Sequence, residues 1–183
     1  MRLSLILVLA LVGCHAGPTV SLDEAQNSCP MPPPRVCNGA EWEVHFSPKG
    51  GTTQSLVESI SNANESIYVQ AYSFTSAPIA EALVAKSKQG KRVEVLLDKI
   101  DLTGKGTQIH TLIQGGVTVL IDDKHAIAHN KIIIIDKKTV FTGSFNFTNA
   151  AENSNAENSI KLTDAKLAKV YLDNWHLHKV HSK

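Results

Sequence analysis

The chain has 183 residues, 43% of them hydrophobic and 19% charged, with a net charge of +1. These values exclude a largely disordered chain, and roughly 150 residues suffice to bury a core without a cofactor or a disulfide lattice. A near-neutral total points to no partner, so a polyanion would have to be drawn by a local patch.

At the N-terminus Arg2 precedes an apolar run, Leu3 to Val12, too short to span a bilayer. Residues 1–14 therefore read as an export signal, placing the protein outside the cytoplasm, either periplasmic or secreted. Leu11-Val12-Gly13-Cys14 resembles a bacterial lipobox, which would make Cys14 a lipid tether to the membrane. The other reading is an ordinary signal peptide cut near Ala16. Residues 15–37, rich in proline and polar groups, read as a stalk before a domain over 38–183. Cys29 and Cys37 bracket PMPPPRV, a spacing that permits a disulfide in an oxidising compartment without demanding one.

Strand and helix signals then alternate. Glu41–Phe46 reads as a strand, Ser55–Ile60 as a helix and Ser66–Phe74 as a strand. Ala77–Gln89 is an amphipathic helix ended by Gly90, and Arg92–Asp98 is a strand. Gln108–Gln114 is a helix ended by Gly115-Gly116, followed by a strand at Val117–Ile121. Two strands fall within HNKIIIIDKKTVFTGSFNFT, residues 129–148. Asn158–Leu162 is a short strand and Asp164–His181 a helix, whose Leu167, Tyr171 and Trp175 at fourfold spacing read as core packing. The pattern predicts an α/β fold, a mixed β-sheet flanked by helices on both faces.

The stretch 129–148 carries the chemistry. Side chains alternate along a strand, so His129 and Lys131 share a face while Asp136 takes the other. A tight turn over Asp136–Thr139 would return the chain antiparallel, with Asn146 opposite His129 and Ser144 opposite Lys131. An ammonium, an amide and a hydroxyl supply donors for phosphate oxygens, and an imidazole supplies a nucleophile or proton carrier near neutral pH. Phosphoryl transfer through a phosphohistidine follows, with no metal or other cofactor required. It also needs a second acid across the phosphorus, which one copy of the patch does not supply.

The pattern His129-x-Lys131-x4-Asp136-x6-Gly143-Ser144-x-Asn146 resembles the HKD signature of the phospholipase D superfamily. GSFNFT followed by an Asn/Glu-rich segment is similar to that superfamily's small exported endonucleases. The resemblance implies His129 as nucleophile, Lys131 and Asn146 as phosphate clamps and Ser144 as a further donor. It also implies a downstream glutamate orienting the histidine, for which Glu157 is favoured over Glu152. Asp136, by its strand parity, reads as structural support. Since the chain carries one motif where many relatives carry two, the resemblance implies a homodimer sharing its site on a two-fold axis, with DNA or RNA as substrate. The alternatives are a phospholipid hydrolase using the same chemistry and a catalytically silent nucleic-acid- or lipid-binding module.

Three further features have ordinary explanations. His125 and His129, four apart and preceded by Asp122 and Asp123, would share a face on a helix and could there suggest a metal site. The context is strand, however, so His125 reads as a loop residue near the site entrance. Lys86, Lys88, Lys91 and Arg92, with Lys99 and Lys105, read as a solvated helix end or as a track for a nucleic-acid backbone. Tyr72, Phe74 and Thr75 are similar to a site-lining segment of the family, or pack in the core.

Overall fold

The computed structural model describes residues 35–37 and 40–183. The export signal, the Cys14 lipobox and the pairing of Cys29 with Cys37 lie outside the described residues.

Among the described residues one eight-stranded sheet forms the framework, with strand order β1-β2-β8-β7-β6-β3-β4-β5. Its strands are β1 (Arg35–Cys37), β2 (Ala40–Phe46), β3 (Ser66–Ala71), β4 (Arg92–Asp98), β5 (Thr118–Asp122), β6 (Lys131–Ile135), β7 (Thr139–Gly143) and β8 (Asn158–Thr163). The helices are α1 (Thr52–Ser61), α2 (Ala77–Lys88), α3 (Ile109–Gln114), α4 (Asn149–Asn153) and α5 (Ala165–His181). Strands β3, β4 and β5 run parallel, and all other pairings are antiparallel. The expected mixed α/β sheet is thus present. Its edge reaches into the stretch read as a stalk, since β1 pairs with β2 through Arg35–Cys37.

The isoleucine run is explained by burial on two sides. Ile133 and Ile135 join Leu56 and Ile60 of α1 and Ile79 and Leu83 of α2 in one core. Ile132 and Ile134 join Ala168 and Trp175 of α5 in the other. A strand covered on both faces reads as continuous apolar sequence, and each buried isoleucine contributes about 2 kcal/mol. Of the expected α5 stripe, Trp175 is fully buried and donates its indole N–H to the Val69 carbonyl at 2.9 Å. Tyr171 packs partly buried beside it.

The β6–β7 hairpin departs from the expected register by one residue: Ile135 pairs with Thr139 and Ile133 with Phe141. The cause is the turn. Asp136 and Lys137 both adopt positive φ, 50° and 55°, and Lys138 N–H closes onto the Ile135 carbonyl, leaving three residues between the paired positions. Some element boundaries also differ by two or three residues. β3 ends at Ala71 rather than Phe74, β6 begins at Lys131 rather than His129, and α4 is unanticipated.

Asp136 fastens the far end of this hairpin. Its carboxylate accepts from the backbone N–H groups of Asn64, Glu65 and Ser66 at 2.8–3.1 Å. Partial burial pushes the carboxyl up, but those amides and Lys138 outweigh it and hold it below the usual carboxylate range. Its stabilising effect is therefore complete above the unfolded-state value of about 3.9 and vanishes as pH falls through the lower folded-state value. Asp136→Ala is expected to cost roughly 1–3 kcal/mol in urea unfolding at neutral pH, with the deficit shrinking at acid pH.

Candidate active site

The parallel strands β3, β4 and β5 end at Ala71, Asp98 and Asp122, and Lys131 pairs with Ala71 at that same end. This is the carboxyl end of the parallel strands, where α/β sheets place ligands. An open depression of about 410 Å³ lies there, lined by His129, Lys131, Gly143, Ser144, Asn146 and Glu157. Five of the expected residues, His129, Lys131, Ser144, Asn146 and Glu157, thus meet, although the hairpin register expected to bring the first four together is not the one observed. Extended, the true ladder would set Gly143 beside Lys131.

Glycine resolves this. Gly143 has φ 149°, and a Cβ there would lie 2.3 Å from the Asn158 carbonyl oxygen. Beyond it, the N–H groups of Ser144 and Phe145 both donate to that one carbonyl, two residues facing one as in a β-bulge. The chain leaves strand geometry here, so parity no longer fixes its side chains. Phe145 and Phe147 enter the core while Ser144 and Asn146 line the depression.

Each polar group has a definite setting. His129 is exposed and its ring makes no hydrogen bond among the described residues; Tyr72 lies against it at 4.6 Å between centroids. Lys131, only 6% exposed, donates to the His129 carbonyl at 2.6 Å, with its ammonium 5.2 Å from the centre of the Tyr72 ring. Burial pushes its pKa below the usual lysine range, and the nearby Glu157 charge partly counters this. Ser144 gives its one hydroxyl proton to Glu157 at 2.6 Å and accepts from the Asn158 N–H. Asn146 presents a buried Oδ1 with no hydrogen-bond partner among the described residues.

The two candidate glutamates separate cleanly. Glu157 lines the depression, whereas Glu152 accepts from the N–H groups of Gly51 and Thr53 at the start of α1. Glu157 accepts from Ser144 and Asn155, one on each oxygen, and makes no hydrogen bond to His129 among the described residues, so the expected orienting contact is not present. Asp136 sits at the opposite end of β6 from the depression.

Tyr72 belongs to the site, while Phe74 is core. Phe74 forms a parallel bridge with Phe147, and the N–H groups of Thr75 and Ser76 both donate to the Phe147 carbonyl. Of the basic stretch, Lys86 is buried on the Ala63 carbonyl and Arg92 pairs with Glu94, at the amino end of β4 and away from the site. Lys99 lies at the site's end of the sheet, bound to the His125 carbonyl. His125 is a partner of Asp122, and α5 brings His178 and His181 to the same carboxylate. Sequence reading missed these two; the only signal was the HxxH spacing within HLHKVH.

An exposed imidazole beside a buried ammonium, with an amide and a hydroxyl in the same depression, suits an enzyme that works on phosphoesters. Residues 56–176 match the family model for the cardiolipin synthase, PLD-like domain, and the chain belongs to the phospholipase D superfamily of phosphodiesterases. It is 47% identical over 137 residues to a phospholipase D of Rickettsia prowazekii, covering 75% of this chain and 67% of that one. It is 32% identical over 146 residues to a mitochondrial cardiolipin hydrolase of Xenopus laevis, covering 80% and 62%. The structure of Nuc, a phospholipase D family member from Salmonella typhimurium, superposes with a TM-score of 0.74 at 36% identity, covering 79% of this chain and 97% of Nuc.

Gly143→Ala tests the bulge. Positive φ and the carbonyl contact together predict a loss of roughly 2 kcal/mol or more in chemical unfolding, accompanied by loss of activity.

Proposed function

We propose that the protein is an endonuclease of the superfamily, hydrolysing DNA, and RNA by the same chemistry, outside the cytoplasm at a site completed by a second copy of itself. The observation that carries this reading is the depression itself. It is open, lined by no aliphatic side chain, and supplied with one imidazole. A long polyanion can cross such a surface, whereas acyl chains find no groove within it.

In this reading His129 attacks phosphorus in line with the leaving oxygen, forming an N–P bond as the P–O bond breaks. Lys131, with two N–H groups left after its bond to the His129 carbonyl, and the Asn146 amide neutralise the equatorial oxygens. The leaving alkoxide takes its proton from His129 of the partner subunit. That imidazole, now neutral, then deprotonates the water that releases the phosphohistidine. Glu157 acts through its charge on Lys131 and its bond to Ser144, and Tyr72 positions the nucleophilic ring. Export, with or without a lipid on Cys14, puts the enzyme where foreign or released nucleic acid is met.

A second reading has its own support. Ile100, Leu102 and Ile127 are 44%, 53% and 56% exposed, on segments at the same end of the sheet as His129. Such side chains would seat on a membrane and bring a phospholipid headgroup to the same pocket.

Incubation with plasmid DNA, RNA and phosphatidylcholine vesicles decides between the two. Nuclease cleavage, an acid-labile phosphoenzyme, and loss of both in His129→Ala are expected; cleavage of the lipid alone would overturn the nuclease reading. Specific activity is expected to fall on dilution, and a monomer retaining full activity would refute the shared site. Because Glu157 raises the Lys131 pKa, Glu157→Gln is expected to move the alkaline limb of the pH–rate profile to lower pH.

A further inference from the structure

On the β5 side of this end of the sheet, away from the six residues that line the depression, Asp122 closes β5 with its carboxylate fully buried. Three imidazoles converge on it. His125 Nδ1 and His178 Nδ1 each lie 2.9 Å from Oδ2, and His181 Nε2 lies 3.4 Å from Oδ1. The four potential ligand atoms all fall within 4.8 Å of one another.

Hydrogen bonding alone leaves this cluster incomplete. Two neutral imidazoles satisfy the carboxylate through their Nδ1–H groups, but buried His181 Nε2, at 3.4 Å from Oδ1, makes no aligned hydrogen bond among the described residues. Protonating all three rings would crowd three cations whose centroids are 4.8–5.5 Å apart. A divalent ion removes both difficulties, since each neutral ring and the carboxylate would offer it a lone pair.

We propose that Asp122, His125, His178 and His181 form a binding site for a divalent transition-metal ion, with zinc the best fit. Tetrahedral zinc with bonds of about 2.0 Å sets its donors roughly 3.3 Å apart, close to the 2.9–3.4 Å between the carboxylate and the three rings, and all four ligand atoms lie within 4.8 Å of one another. Three imidazoles and one carboxylate oxygen suit zinc and disfavour magnesium or calcium, which require oxygen ligands. The surroundings hold the ligands in place. Ile121 and Lys183 exchange two backbone hydrogen bonds that pin the end of α5 to β5, and Ser182 Oγ donates to the His178 carbonyl. Lys99 Nζ holds the His125 carbonyl, and Asp98 accepts from Ala128 N–H at 2.6 Å. The ion would bolt α5 to the segment that leads, four residues on, into His129, and its role is structural.

The test uses the full untagged chain, stripped of metal and then titrated with zinc or cobalt. One equivalent of zinc is expected to survive desalting and to raise the melting temperature, and cobalt is expected to give the visible absorption of a four-coordinate site. His178→Gln combined with His181→Gln should weaken binding by roughly 100-fold or more, and His129→Ala should keep the full equivalent. Circular dichroism of the metal-free variants checks that they fold. Should the double variant not fold, His125→Gln, on an exposed loop, must weaken binding by itself. A wild-type chain that keeps no zinc, or a folded variant that keeps all of it, overturns the proposal.

Discussion

Burial of β6 on both faces is the constraint from which the rest follows. Helices α1 and α2 cover Ile133 and Ile135, and α5 covers Ile132 and Ile134, so the interior of the strand admits no polar side chain. Polarity is confined to its two ends. One end carries Asp136, which binds three amides ahead of β3, and the other carries Lys131, which opens into the depression. A strand gripped along its whole length is a rigid mount for the groups at its tip.

Much of this was legible in the sequence, because two-sided burial writes a continuous apolar run and one-sided helices write periodicity. The strands at Arg92–Asp98 and around 131–135 and the helix bearing Trp175 are of this kind. Contacts between distant segments were not legible. Glu152 and Glu157 occupy identical AEN triplets, and only spacing and the start of the next strand favoured Glu157, which does line the depression. Their fates are decided by the start of α1 for one and by Ser144 and Asn155 for the other. The register slipped by one because the turn admits three residues through two left-handed conformations. The site nevertheless assembled, since Gly143 takes the chain out of strand parity before Ser144 and Asn146 are placed.

The convergence on Asp122 escaped sequence reading for a related reason. His125 and His129 were weighed as a helical pair, yet the loop sends His129 to the depression and His125 to a carboxylate shared with residues more than fifty positions away. The end of the sheet thus carries two chemically distinct groupings joined by one short loop. One is open and poised for phosphoester chemistry; the other is closed and tied to α5.

The bridge between Phe74 and Phe147 acts as a spacer gauge. Tyr72 stands two residues before one end of it and Asn146 one residue before the other, and three backbone groups lock the two segments together. The separation of the main-chain positions that carry the aromatic wall and the amide wall is therefore set by backbone pairing. Rotation about side-chain bonds can turn the Tyr72 ring or the Asn146 amide, but it does not shift the backbone points from which they project.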